Sequence, residues 1–201
     1  MMFDNPYNQS GFSLVETLVA ITILLIVITG PLTLVSNSAR STNFANDQVM
    51  ANFLAQEGLE LSQAARDNQQ IPTFASSYSG ADGAAWNTFA NPSGLYQNCF
   101  SANGCGLDQD TDAAGTLNVS NCLSTGTGCR LYSNANPAER AQYTHDSNSG
   151  ANSPTRYTRV IRMTNGSGQV EIVSRVTWRS DGQRAQQVVE TVTYLFNVYG
   201  Q

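Results

Sequence analysis

The chain has 201 residues, 41% of them hydrophobic and only 12% charged, with a formal net charge of -5. That is enough for one ordinary domain with a core, plus a tail, but hardly for two domains. All 10 basic residues are arginine, most of them in the last third of the chain. Arg156, Arg159, Arg162, Arg175, Arg179 and Arg184 alternate with apolar residues at strand spacing. This is the pattern of a solvated sheet face rather than of a nucleic-acid stripe, so no nucleic-acid partner is expected.

In chain order, a short polar or mixed stretch up to Gly11 precedes an apolar run, and Thr17 to Val35 carries no charge. The run is longer than the 7–15 residues of a signal-peptide core, and no signal-peptidase site follows it. From Phe12 to Val35 there is length for a helix of about 30 Å, which spans a bilayer core. The periodicity continues beyond it. Met50, Leu54, Gly58, Leu61 and Ala65 mark one helical face, and Gln56, Glu57, Glu60, Gln63 and Arg66 occupy the other. Asp67 and Asn68 with the polar tract beyond predict the end of the helix. A helix from Phe12 to Asp67 is about 80 Å long at 1.5 Å per residue. Gly30 and Pro31 predict a kink or a short melted stretch, because Pro31 has no N–H for the carbonyl of Val27.

Immediately before the apolar run stands Gly11-Phe12-Ser13-Leu14-Val15-Glu16. Glycine has no side chain, so the backbone just before Phe12 is open to close approach. Glu16 is the only charge near the start of the span, where an unpaired ion near the bilayer centre costs about 2.5–3.5 kcal/mol. No basic residue stands near that depth, the first being Arg40, and only a chain that began at Phe12 would place an α-amine there. An ordinary anchor would instead let Glu16 snorkel to the headgroups.

This segment resembles the recognition sequence of type IV prepilins and pseudopilins, and the resemblance is close from Gly11 to about Asp67. It implies cleavage between Gly11 and Phe12 by a prepilin peptidase and N-methylation of Phe12. It also implies an assembly role for Glu16 through the Phe12 amine of a neighbouring subunit. The leader carries only Asp4 as a charged residue, where family leaders usually carry Lys or Arg.

From Asn68 to Pro154 the residues offer little periodicity, and a structureless loop of that length is unusual in a compact domain. Cys99, Cys105, Cys122 and Cys129 fall within this polar region, an even number that predicts two disulfides in an oxidising compartment, with three pairings open. Zinc is disfavoured, since the spacings are not those of paired ligands and His145 is the only histidine. Short strands are expected beside the cysteines, at Gly106-Leu107 and Arg130-Leu131-Tyr132. Asp108, Asp110 and Asp112 resemble the opening of a calcium loop, but Ala113 and Val119 stand where a glycine and a bidentate glutamate belong, which favours a solvated acidic turn. Pseudopilin loops that hold calcium keep that cation as the one cofactor expectation. His145, Asp146 and Ser147 adjoin one another, and sequence neighbours do not make a triad.

The last segment reads as three strands, RYTRVIRMT, QVEIVSRVTWR and AQQVVETVTYLFNVY, separated by NGSG and SDGQ turns. Val170, Ile172, Val176 and Trp178 share one face, with Glu171, Arg175, Thr177 and Arg179 on the other. The expected fold is α+β and pilin-like, a long N-terminal helix packed on a small antiparallel sheet through Met50, Leu54 and Leu61. Its parts are a leader at 1–11, a transmembrane half-helix at 12–35 and an amphipathic half at 36–67. A disulfide-stapled variable region follows at 68–155, then a β-meander at 156–201.

The expected function is a structural subunit, a minor pilin or pseudopilin without catalysis. Its partners are sister pilins, the prepilin peptidase and membrane lipid. It sits in the bacterial cytoplasmic membrane with an extracytoplasmic C-terminal domain, and then in a pilus or pseudopilus. The alternative is an anchored extracytoplasmic binding or adhesion protein that never polymerises.

Overall fold

The structure, a computed structural model, describes residues 11, 13–76, 82–111, 116–122, 127–134, 143–147, 152–180 and 185–197. The chain divides into two units, Met1–Ala45 and Asn46–Gln201. Helix α1 covers Leu14–Ser76, and its two parts are taken with their own units.

In the first unit the described residues are helical from Leu14 on, and every described residue up to Asn43 is exposed. The helix runs unbroken through Gly30 and Pro31, so the melted stretch does not form. A proline inside a helix forfeits one hydrogen bond. Here the Thr33 hydroxyl donates to the Gly30 carbonyl at 2.7 Å, supplying a side-chain bond in the same turn.

In the second unit the remainder of α1 packs on an antiparallel sheet. The strands are β1 (Cys105–Thr111), β2 (Leu117–Asn121), β3 (Arg130–Asn134), β4 (Tyr143–Thr144), β5 (Asn152–Asn165), β6 (Gln169–Trp178) and β7 (Gln187–Phe196). A short helix α2 (Asp82–Phe89) precedes them. The expected meander is present as β5–β6–β7, in unbroken register from Gln169↔Phe196 to Trp178↔Gln187 and from Thr158↔Thr177 to Asn165↔Val170. Strict alternation along β6 buries Val170, Ile172, Val176 and Trp178.

Two expectations about the helix are corrected. The helix does not end at Asp67-Asn68 but runs to Ser76. Arg66 and Asp67 pair at 2.8 Å on its surface, and Ala65 and Gln70 are still buried, so packing outweighs the small cost of surface polar residues in a helix. The short strands expected beside the cysteines are present as β1 and β3, which pair with the other edge of β5, and α2, β2 and β4 also lie within 68–155. Finally, Met50 is 37% exposed while Ala51 is buried, so the packing face consists of Ala51, Leu54, Ala55, Gly58, Leu61, Ser62 and Ala65, mostly small residues that bring the helix close to the sheet.

Two apolar clusters flank a polar seam. Ala51, Leu54 and Ala55 pack with Leu131, Tyr157, Val176 and Trp178. Leu61 and Ala65 belong with Trp86, Phe89, Tyr96, Ile161 and Ile172. Between them in sequence and register stand Gly58 on α1, Arg159 on β5 and Ser174 on β6. A Cβ on Gly58 would fall on the Ser174 hydroxyl and lie 3.2 Å from Arg159 Cδ.

Arg159, expected on a solvated face, is fully buried. Its Nη1 donates to Glu57 Oε2 at 2.7 Å and to the Leu54 carbonyl at 3.4 Å, and its Nη2 donates to the Leu107 carbonyl at 3.1 Å. One side chain thus ties α1, β1 and β5 together.

A second clasp lies nearer the start of the unit. Asp47 Oδ1 accepts from the Tyr157 hydroxyl at 3.1 Å. Its Oδ2 accepts from Arg156 Nη1 at 3.1 Å and from the Ser180 hydroxyl at 2.7 Å. Burial, and then the adjacent Asp47 carboxylate, push the Tyr157 phenol up to about 12.

Both clasps are open to measurement. Glu57→Ala leaves a buried guanidinium without its counter-charge and is expected to cost about 3 kcal/mol of unfolding free energy in urea. The double variant Glu57→Ala, Arg159→Met recovers part of that loss, whereas a double variant less stable than the single one contradicts the seam. For Tyr157, the folded pKa lies above the unfolded value of 10.0, so its contribution is complete below pH 10 and is lost as pH rises toward about 12. Wild-type urea midpoints should therefore fall more between about pH 9 and about pH 11 than those of Tyr157→Phe, and equal slopes would refute the coupling.

Candidate functional site

The candidate site is the start of α1, built from the apolar sequence around Gly11 and Glu16. Gly11 and Ser13 are exposed, and the Ser13 carbonyl accepts from the amides of Glu16 at 2.9 Å and Thr17 at 3.2 Å, which opens the helix. Glu16 stands in the first turn, where the unpaired amides at the N-terminal end of a helix favour a carboxylate. Phe12, the residue whose amine the sequence pairs with Glu16, lies outside the described residues, as do Met1 to Ser10.

The following turns are apolar on every side. Leu14, Val15, Leu18, Ile21, Leu24, Ile26 and Val27 are each more than half exposed, and the helix reaches a window mean hydropathy of 2.6 with none of that window buried. A helix apolar all round needs an apolar surrounding, whether lipid or other helices. By length and composition this one is able to cross a membrane.

Its hydroxyls are adapted to that surrounding. Thr17, Thr22 and Thr29 donate to the carbonyls of Leu14, Val19 and Ile26 at 2.9, 2.8 and 3.2 Å. Each satisfies its polar group within the helix, so none needs water in a hydrocarbon setting. Glu16 is the one charge from Phe12 to Ala39. The geometry thus presents a single carboxylate at the mouth of an uncharged helix.

Residues 6–30 match the family described as the prokaryotic N-terminal methylation motif. The chain carries the type IV prepilin signature. No curated protein and no solved structure matches the chain. The prepilin match covers Gly11, Phe12, Glu16 and Gly30 and stops one residue short of Pro31, and it points to a pilin-like or pseudopilin protein that prepilin peptidase processes. The fold agrees, a long apolar N-terminal helix and an antiparallel sheet in an α+β arrangement.

Away from the prepilin segment, the remaining sequence candidates find definite places. The four cysteines form Cys99–Cys105 and Cys122–Cys129, which settles the open pairing. Each closes a short loop worth about 2 kcal/mol in the chain-entropy account. The first holds the turn before β1, whose Cys99 carbonyl also accepts from the Met163 amide of β5 at 2.9 Å.

Asp108 is not in a turn but buried on β1. Its Oδ1 accepts from the His145 amide at 2.9 Å and lies 2.8 Å from His145 Nδ1. Gly106 makes room for this, since a Cβ there would overlap the imidazole. Thus His145, which follows directly on β4, fastens the end of that strand to β1. The side chain of Asp110, and Asp112 altogether, lie outside the described residues. Among the described residues no cluster of three metal-ligating side chains occurs.

Sequence reasoning missed Asp47 and the burial of Arg159. The second was signalled by parity, because Arg159 shares its phase in β5 with Tyr157, Ile161 and Met163, all inward.

Proposed function

We propose that the chain is a structural subunit, a minor pilin or pseudopilin, of a type IV pilus-like filament or a type II secretion pseudopilus. The observation that carries this reading is the prepilin signature standing on a helix whose apolar side chains are exposed on every face. In the membrane that helix is the anchor, and in the filament the same surface packs against the helices of sister pilins. Prepilin peptidase cuts after Gly11, and the freed amine of Phe12 is methylated. The two disulfides favour an oxidising, extracytoplasmic position for the C-terminal domain. The loops and short strands between α1 and β5 suit a minor subunit, whose bulk a densely repeated position would not tolerate.

Intact mass of the membrane-extracted protein tests the processing. Loss of Met1 to Gly11 with one added methyl group is expected, and retention of the leader would leave only an anchored protein that does not polymerise.

Glu16 tests assembly separately. A snorkelling carboxylate has water and headgroups as partners, so its removal would leave the subunit unaffected. A carboxylate that neutralises the Phe12 amine of an adjacent subunit leaves that amine stranded when it is lost, at a cost of about 3–5 kcal/mol. Glu16→Ala is therefore expected to insert and to be cleaved normally, yet to be depleted from sheared filaments and from co-purified sister pilins. Normal incorporation would count against the pairing.

A further inference from the structure

The face of the sheet turned away from α1 gathers an unusual share of the chain's cations. Of the 10 arginines, four line one open groove of about 580 Å³ across β3, β5 and β6, namely Arg130, Arg156, Arg162 and Arg175. The register shows how. Thr158 pairs with both Arg130 and Thr177, Val160 pairs with Arg175, and Arg162 follows two residues after Val160 on the same face. With strands about 4.8 Å apart and side chains repeating every ~6.7 Å along a strand, Arg130, Arg162 and Arg175 stand around Val160 within reach of one bound chain, while Arg156 lines the groove with its guanidinium turned to Asp47.

Their charge is only partly offset. Arg156 pairs with Asp47. Arg175 Nε stands 3.4 Å from Glu190 Oε1, with both side chains near half exposed, an arrangement worth little in water. Arg130 spends its Nε on the Thr155 carbonyl. Arg162 is exposed, and among the described residues it makes no hydrogen bond or ion pair. The chain as a whole carries a net charge of -5. The positive groove is therefore a local feature and not a general basicity.

We propose that this groove binds an acidic polysaccharide, with uronate carboxylates on the arginines and sugar hydroxyls on the threonines. The choice of ligand rests on the lining. Arginine offers a planar fork that matches a carboxylate bidentately. Thr158 and Thr177 supply hydroxyls between the forks, and Val160 and Val188 supply a small apolar floor. A single-stranded nucleic acid would need aromatic rings on which to stack its bases, and among the described residues no aromatic side chain lines the groove. A flat sheet face also offers no helix or ribbon to enter a duplex groove. The site belongs to the second unit alone and does not depend on polymerisation.

The test is isothermal titration of the full-length, detergent-solubilised protein with oligogalacturonate. A neutral maltooligosaccharide and an oligodeoxythymidylate of equal charge serve as comparisons. Binding of oligogalacturonate that weakens as salt is raised is expected, with about a tenfold loss in Arg162→Gln, a change of roughly 1.4 kcal/mol. Arg179→Gln, an exposed arginine outside the groove, should leave the affinity unchanged. The proposal is overturned by absence of binding, by undiminished binding in Arg162→Gln, or by an equal loss in Arg179→Gln. Equal binding of the neutral maltooligosaccharide would overturn the role of the carboxylates, and tighter binding of the oligodeoxythymidylate would overturn the proposal in favour of a nucleic-acid surface.

Discussion

The second unit is organised around a charge that has no water. Arg159 is fully buried, and its two Nη groups are held by Glu57 and by the carbonyls of Leu54 and Leu107, so α1, β1 and β5 must hold their relative positions for that guanidinium to keep its partners. Apolar packing alone would permit the helix to slide along the sheet, because alanine and leucine contacts are nearly interchangeable from turn to turn. A buried ion with fixed acceptors is not interchangeable, and it trades net stability for a single register. The absence of a side chain at Gly58 is part of the same arrangement, since it lets Ser174 and Arg159 approach the helix axis.

The first unit obeys the opposite rule. From Leu14 to Val35 its large side chains are apolar and exposed, its threonine hydroxyls are satisfied within the helix, and one carboxylate is left at its start. Such a helix has no stable place in water. The prepilin signature lies at residues 6–30, and the function proposed above would give the helix two successive surroundings, lipid and then other helices of the same kind. Under the proposed function Glu16 would distinguish them, since a lone carboxylate is costly in lipid and an amine of an adjacent subunit would complement it.

Much of this was legible in the sequence because it is written as periodicity or as local chemistry. The apolar run, the cleavage motif, the strands β5 to β7 and the buried face of β6 depend on residue types at fixed spacing. The short strands beside the cysteines were also foreseeable. What could not be read depends on contacts distant in sequence. Asp47 meets Tyr157 and Ser180, and Asp108 meets His145, across separations that no local pattern encodes. The pairings Cys99–Cys105 and Cys122–Cys129 are set by where β1 and β3 begin. Asp67-Asn68 misled because polar residues on a helix surface cost little and do not by themselves end it, and the helix continues to Ser76. Arg159 misled because a charged residue was assigned outward by chemistry when its parity in the strand assigned it inward.

Both disulfides are local, with sequence separations of 6 and 7, and neither bridges α1 to the sheet or one end of the sheet to the other. A tensile load entering through α1 and leaving through the sheet therefore meets no covalent stop. It is carried by the Asp47 and Arg159 clasps and by the hydrogen-bonded ladder of β5 with its neighbours. The crosslinks harden two short turns against proteolysis and unravelling, while the mechanical strength of the subunit resides in bonds that break and re-form.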